Sequence, residues 1–216
     1  KFCVPGRKDS HCLQNNNSAG DINLSQGVLR FQVMKKNTIR ACVRRLAADM
    51  DAAERQLESQ RATDLLERAV RRRGAAVVAL FSPLPDEIDI APLAARLGDV
   101  RIVLPRVEDT PQGEPRMEFY DYRPDSLAAG AYGIREPQGG EACPAADIDV
   151  MVVPGMAFTR DGRRLGRGKG YYDRYLAREG FRAWCIGVCF GCQIVDDLPC
   201  EPFDRRVDEV VTGRSL

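Results

Sequence analysis

Residues 148–176 read IDVMVVPGMAFTRDGRRLGRGKGYYDRYL. The first seven residues, IDVMVVP, form a short apolar run with β-branched side chains, the pattern of a strand buried on both faces. Pro154 and Gly155 end it. A polar, glycine-rich segment follows, and a helix is expected from Tyr171 to about Glu179. Strand, loop and helix in that order are the unit of an α/β sheet, in which ligands bind beyond the carboxyl ends of the strands.

The flanking sequence repeats the theme. Ile39, Val43, Leu46, Met50, Ala53 and Leu57 recur in steps of three and four, one face of an amphipathic helix. A second helix is expected from about Ser59 to Arg73, using Ala62, Leu65, Leu66, Ala69 and Val70, and stopping at Gly74. AAVVALF (75–81) and VRIVLP (100–105) read as buried strands, separated by the turn-rich SPLPDE and a short helix capped by Asp89 and running through Leu97. RMEFYDY (116–122) alternates as a half-exposed strand does. AWCIGVC (183–189) is a further buried strand and VDEVVT (207–212) a short last one. Helices alternating with short apolar strands imply an α/β fold, three-layer α/β/α around a mainly parallel central sheet.

Residues 35–216 read as a single domain. Residues 1–34 lack either periodicity, and Met34 is the first methionine. They are expected to be a disordered or non-native N-terminal extension. The chain has 216 residues, 44% of them hydrophobic, and a net charge of +1. It can bury a sizeable core, and any electrostatic function must come from local clustering. No apolar run approaches the roughly 18 residues of a membrane span, and no secretory leader is evident. The eight cysteines are therefore expected to be reduced thiols in a cytoplasmic protein. The one histidine, His11, lies in the extension, which argues against a histidine base.

Local charge gathers in the quoted stretch. Between Arg160 and Arg174 stand six cations (Arg160, Arg163, Arg164, Arg167, Lys169, Arg174) and two acids (Asp161, Asp173). Glycines let backbone amides approach an anion, and arginine offers paired donors to phosphate oxygens. Yet Gly168–Lys169 is followed by Gly170 rather than Ser or Thr, so this is no Walker A loop, and the dinucleotide spacing fails too. On residue chemistry alone, a phosphate cradle and a solvated basic loop both stay open.

The segment VVPGMAFTRDGRRLGRGKGYYDRYL (152–176) resembles the signature of the 5-formyltetrahydrofolate cyclo-ligase family. Lys36 and Arg40 resemble its N-terminal Lys-x-x-x-Arg, and PDEIDI (85–90) its substrate-binding segment. IVLPRV (102–107), YGIREP (132–137), Gln193 and FDRRVDEVVT (203–212) extend the likeness over residues 35–212. The resemblance implies a ligase that converts 5-formyltetrahydrofolate, possible polyglutamates included, into 5,10-methenyltetrahydrofolate with ATP as co-substrate and Mg²⁺ as cofactor. It implies that Lys36 and Arg40, one turn apart on a helix, reach ATP phosphates. Arg164, Leu165, Gly166, Arg167, Gly168, Lys169, Gly170, Tyr171 and Tyr172 would wrap the triphosphate. Arg167 and Lys169 would be catalytic through charge stabilisation. Glu87, Arg167 and Tyr171 would contact the folate, with one of the two tyrosines packing and the other facing it. Asp173 and Asp204 would be the Mg²⁺ carboxylates. Ile90 stands where the family often has Thr.

Two other function classes carry less weight. Cys189 and Cys192 form CxxC, with Cys185 and Cys200 near them, but a second ligand pair for structural zinc is missing. The arginines at 40, 44, 45, 55, 61, 68 and 71–73 alternate with Asp49, Asp51, Glu54, Glu58, Asp64 and Glu67. That is a solvated helix face rather than a nucleic-acid stripe. A monomer without nucleic-acid or membrane partners is expected.

Overall fold

The computed structural model describes residues 34–110, 113–130 and 133–214. The N-terminal stretch 1–33, with Cys3, His11 and Cys12, lies outside them, as does Tyr132.

Helix α1 (Lys36–Ala48) buries Ile39, Val43 and Ala47. Helix α2 (Ala52–Arg73) starts at Asp51, whose carboxylate accepts the Glu54 backbone N–H at 2.7 Å, and closes on Gly74 in the left-handed region. The chain thus breaks at residues 49–51, not near 58 as the periodicity suggested. The cap resets the helical phase, so Leu57 and Leu65 point to solvent, and Ala62, Leu66, Ala69 and Val70 face the core. The helix expected between Asp89 and Leu97 is shorter, α3 (Pro92–Arg96). Asp89 instead accepts the Ala91 N–H in a turn ahead of it.

The strands are β1 (Val77–Ala79), β2 (Arg101–Glu108), β3 (Arg116–Asp121), β4 (Leu127–Ala129), β5 (Arg135–Pro137), β6 (Val150–Pro154), β7 (Ala157–Phe158), β8 (Arg164–Leu165), β9 (Trp184–Cys189) and β10 (Glu209–Thr212). Six of them form one sheet in the order β10-β9-β6-β1-β2-β3, parallel except for β3, which pairs antiparallel with β2. β4 with β5 and β7 with β8 make two small antiparallel hairpins.

Strand alternation sorts the core into layers. Val78, Leu80, Ile102, Leu104, Val150, Val152, Ile186 and Val188 face α2 and α3, meeting Leu66, Val70 and Leu93. Ala79, Val103, Met151, Val153, Cys185 and Cys189 face the other way, toward Phe119, Phe158 and Tyr175. Tyr175 belongs to α4 (Tyr171–Leu176), six residues long and ending earlier than expected. Its ring meets Phe119 edge-on at 4.8 Å. Three layers, α/β/α, result. A third cluster joins Ile39 and Val43 of α1 to Met156, Ala157 and Leu165, which seats α1 against the β7–β8 hairpin. No helix among the described residues is long and apolar enough to cross a membrane.

Strand order reverses between β1 and β6. From β1 the chain moves to β2 on one side, and from β6 to β9 on the other. The loops leaving these two neighbours diverge and open a crevice at their carboxyl ends.

Candidate functional site

The loop after β6 is built from the base upward. Gly155 follows the strand because a Cβ there would lie 2.6 Å from the Phe158 ring. The backbone then folds into the β7–β8 hairpin, so Arg164 and Leu165 sit on a short strand where an irregular loop was expected. Gln193 anchors the hairpin from the end of β9. Its amide donates to the Met156 carbonyl and accepts the Phe190 N–H, both at 2.9 Å. Met156 N–H in turn donates to the Leu165 carbonyl at 2.7 Å. Leu165 turns its side chain into the core, so only its main chain is available to a ligand.

Arg164 is the buried pillar of this base. Its side chain is 3% exposed and donates to Asp173 Oδ1 at 2.7 Å. The same oxygen accepts the Arg205 backbone N–H at 3.2 Å. The Arg164 Nε–H finds no acceptor among the described residues. An unsatisfied donor on a buried cation is costly, and a ligand oxygen would relieve that cost.

Beyond the hairpin the loop carries Arg167 and Lys169 outward. Gly168 has φ 102, a conformation that side-chain-bearing residues rarely adopt. Arg40 of α1 supports the loop from behind. Its Nε donates to the Gly166 carbonyl at 2.8 Å, and its guanidinium lies against Gly168. Lys36, one turn earlier, reaches elsewhere: its ammonium pairs with Asp204 at 2.7 Å and Glu201 at 2.6 Å. Burial pushes its pKa down, but hydrogen bonds to these carboxylates outweigh burial and hold it above 10.5.

A pocket of about 510 Å³ lies in the crevice. Glu87, Arg164, Gly166, Arg167, Lys169, Gly170, Tyr171, Tyr172 and Asp173 all line it. Lys36, Arg40, Leu165, Gly168 and Asp204 do not; Arg40 and Gly168 meet on the loop's other side. The remaining wall is largely apolar, with Phe81, Pro105, Val107, Met117 and Ile134. Tyr171 and Tyr172 are both half-buried at this wall, and burial raises the Tyr172 hydroxyl well above its usual 10. The tyrosine that packs in the core is Tyr175.

Glu87 arrives on the loop after β1. Its Oε2 accepts the Leu84 N–H at 3.0 Å and its Oε1 accepts Arg167 Nε at 3.0 Å. Asp86 takes Arg167 Nη2 at 2.6 Å. Sequence reasoning passed over Asp86, although it stands beside Glu87 in the quoted PDEIDI. Glu136 was also passed over: it lies within YGIREP, is buried, and lines the pocket.

Of the two carboxylates suggested for magnesium, Asp173 lines the pocket and Asp204 does not; the Arg205 backbone N–H joins Asp173 to the segment that holds Asp204, whose carboxylate pairs with Lys36. Asp173 uses Oδ1 and Asp204 uses Oδ2 in its hydrogen bonds, leaving one oxygen of each without a hydrogen bond among the described residues. Mg²⁺ commonly takes one or two carboxylates and completes its shell with phosphate and water, so this donor pair fits it. Among the described residues no group of three or more His, Cys, Asp or Glu could hold a metal by itself. Cys189 is buried, and the half-buried Cys192 contacts Met50 Sδ at 3.6 Å.

The arrangement is therefore an apolar pocket with one carboxylate loop on the β1 side and one cationic loop on the β6 side. The chain as a whole is similar to known proteins. The chain is 28% identical to the 5-formyltetrahydrofolate cyclo-ligase of Haemophilus influenzae, covering 85% of this chain and all of that one. It is 33% identical to that of Escherichia coli over 62% of this chain and 76% of the relative. The NMR structure of Aquifex aeolicus 5,10-methenyltetrahydrofolate synthetase superposes with a TM-score of 0.72 at 34% identity, covering 84% of this chain and 91% of that one. A family model described as the 5-formyltetrahydrofolate cyclo-ligase family matches residues 32–213, and the chain belongs to that family of ligases.

Proposed function

We propose that this chain closes 5-formyltetrahydrofolate to 5,10-methenyltetrahydrofolate, using ATP and releasing ADP and phosphate. The observation that supports this best is the glycine loop, one side of which borders the folate-sized pocket while Arg40 lies against the other. A loop so placed can hold a phosphoryl group between a nucleotide and a heterocycle.

The formamide oxygen is a poor leaving group. Transfer of the γ-phosphoryl group to it breaks the terminal phosphoanhydride bond and forms an imidate phosphate. N10 then attacks the activated carbon, the N10 proton is lost to solvent, and phosphate departs as the ring closes. Such chemistry needs positioning and charge neutralisation more than a strong base. Arg167 and Lys169 neutralise the transferring group. Arg40 holds the loop against the phosphates, joined by the main chain from Arg164 to Tyr172, and Lys36 of the same helix would reach them only on leaving Asp204 and Glu201. Glu87 accepts N–H groups of the pterin ring, and Tyr171 covers its face. Asp173 and Asp204 would hold Mg²⁺, which would supply positive charge to the phosphate oxygens. We place the reaction in a single domain acting as a cytoplasmic monomer.

The test mixes purified protein with 5-formyltetrahydrofolate, ATP and Mg²⁺ and follows methenyltetrahydrofolate absorbance. Growth that requires ATP supports the reading. Growth without ATP, or none with it, defeats the reading.

A further inference from the structure

Arg167 bridges the two loops of the crevice. Its guanidinium leaves the glycine loop and takes both Asp86 (2.6 Å) and Glu87 (3.0 Å) on the loop after β1. Two groups with separate tasks in the proposed reaction are thus paired with each other. Glu87 cannot offer Oε1 fully to a pterin N–H while Arg167 occupies it. Nor can Arg167 meet a phosphoryl group without leaving the carboxylates.

We propose that Asp86 is a positioning residue that parks Arg167 between the loops, and that nucleotide phosphate draws Arg167 away and so frees Glu87 for the pterin. ATP and the folate then strengthen each other's binding. This rests on the ATP-dependent reading above.

Three features support the exchange. Arg167 and Asp86 are 34% and 40% exposed in their side chains, so their pair is loosely held and open to competition. Phosphate offers the same fork of donors a more highly charged acceptor. Glycines flank Arg167 on both sides, and Gly168 is already in the left-handed region, so the loop can turn without a side chain to obstruct it. Asp86 is also the carboxylate that faces Arg167 without being needed by the pterin. Burial pushes its pKa up, yet the Arg167 hydrogen bond holds it below 3.8.

Binding free energies are reciprocal, so the effect is measurable from either substrate. Titration calorimetry with a non-hydrolysable ATP analogue plus Mg²⁺, and with 5-formyltetrahydrofolate, is run for each alone and each in the presence of the other. In the wild type each is expected to tighten the other by about fivefold or more. In Asp86→Asn the analogue alone is expected to bind more tightly than to the wild type, and the mutual tightening to fall to less than half. Unchanged mutual tightening in Asp86→Asn overturns the proposal, as does its absence from the wild type. So does a uniform loss of both affinities, the signature of a merely structural role. Failure of the wild type to bind the analogue at all would instead remove the ATP reading, and this proposal with it.

Discussion

Arg164 and Arg167 stand three residues apart in one loop and live in opposite environments. Arg164 is 3% exposed and locked to Asp173 beneath the pocket; Arg167 is 34% exposed and shares two carboxylates at its mouth. A buried cation without its partner is expensive, so the first arginine fixes shape. A half-exposed cation changes partners at little cost, so the second is available for chemistry. The base of the loop is a scaffold held by Arg164, Gln193 and Leu165, and its tip is the more exposed part, proposed to meet ligands.

The contrast is broken most forcefully by Arg164→Ala. It strands Asp173 beside a void and is expected to cost about 3 kcal/mol of stability. For a chain of this size that lowers the thermal midpoint by roughly 6–12 °C. Calorimetric or circular-dichroism melting checks it, and a midpoint within about 2 °C of wild type would make Arg164 no pillar. Gln193→Ala comes next. It leaves the buried Met156 carbonyl and Phe190 N–H without their side-chain partner, for about 1–3 kcal/mol by the same melting experiment. Since no ligand contact is lost, folate affinity at low temperature should fall less than stability does.

The smallest effect is chemical. Burial, reinforced by the nearby Glu58 charge, pushes the Cys192 thiol up to about 11. Burial, with Asp208 adding to it, pushes Cys185 to about 12. Burial disfavours the thiolate, so both stay protonated at pH 8, and Cys192 alkylation should rise only as pH nears 11. Iodoacetamide at pH 8 followed by peptide mass spectrometry should find the exposed Cys200 modified first among the described cysteines. Early modification of Cys192 would reveal an opened or reactive site.

Much of the frame was legible because buried strands announce themselves. IDVMVVP and AWCIGVC contain adjacent strands β6 and β9, and RMEFYD shows the alternation of the antiparallel edge. The break between α1 and α2 was misplaced because apolar spacing continued through a point where one aspartate side chain closes a cap. The β7–β8 hairpin was missed because two-residue strands carry no periodicity. The site divided in the same way. Its cationic loop is continuous in sequence and was found, whereas the pairings that join it to the rest are not. Arg167 meets Asp86 across 81 positions, and Lys36 meets Asp204 across 168. Neither contact leaves a local pattern; the first follows from the strand order that brings β1 beside β6, the second from the seating of α1 against the β7–β8 hairpin.

The most direct measurement is turnover and thermal stability of Arg167→Ala side by side. The exposed tip predicts a loss of about 10²- to 10³-fold in kcat with an almost unchanged melting midpoint. Near-normal turnover, or a melting midpoint that falls as far as that of Arg164→Ala, would contradict the division between a structural and a working arginine.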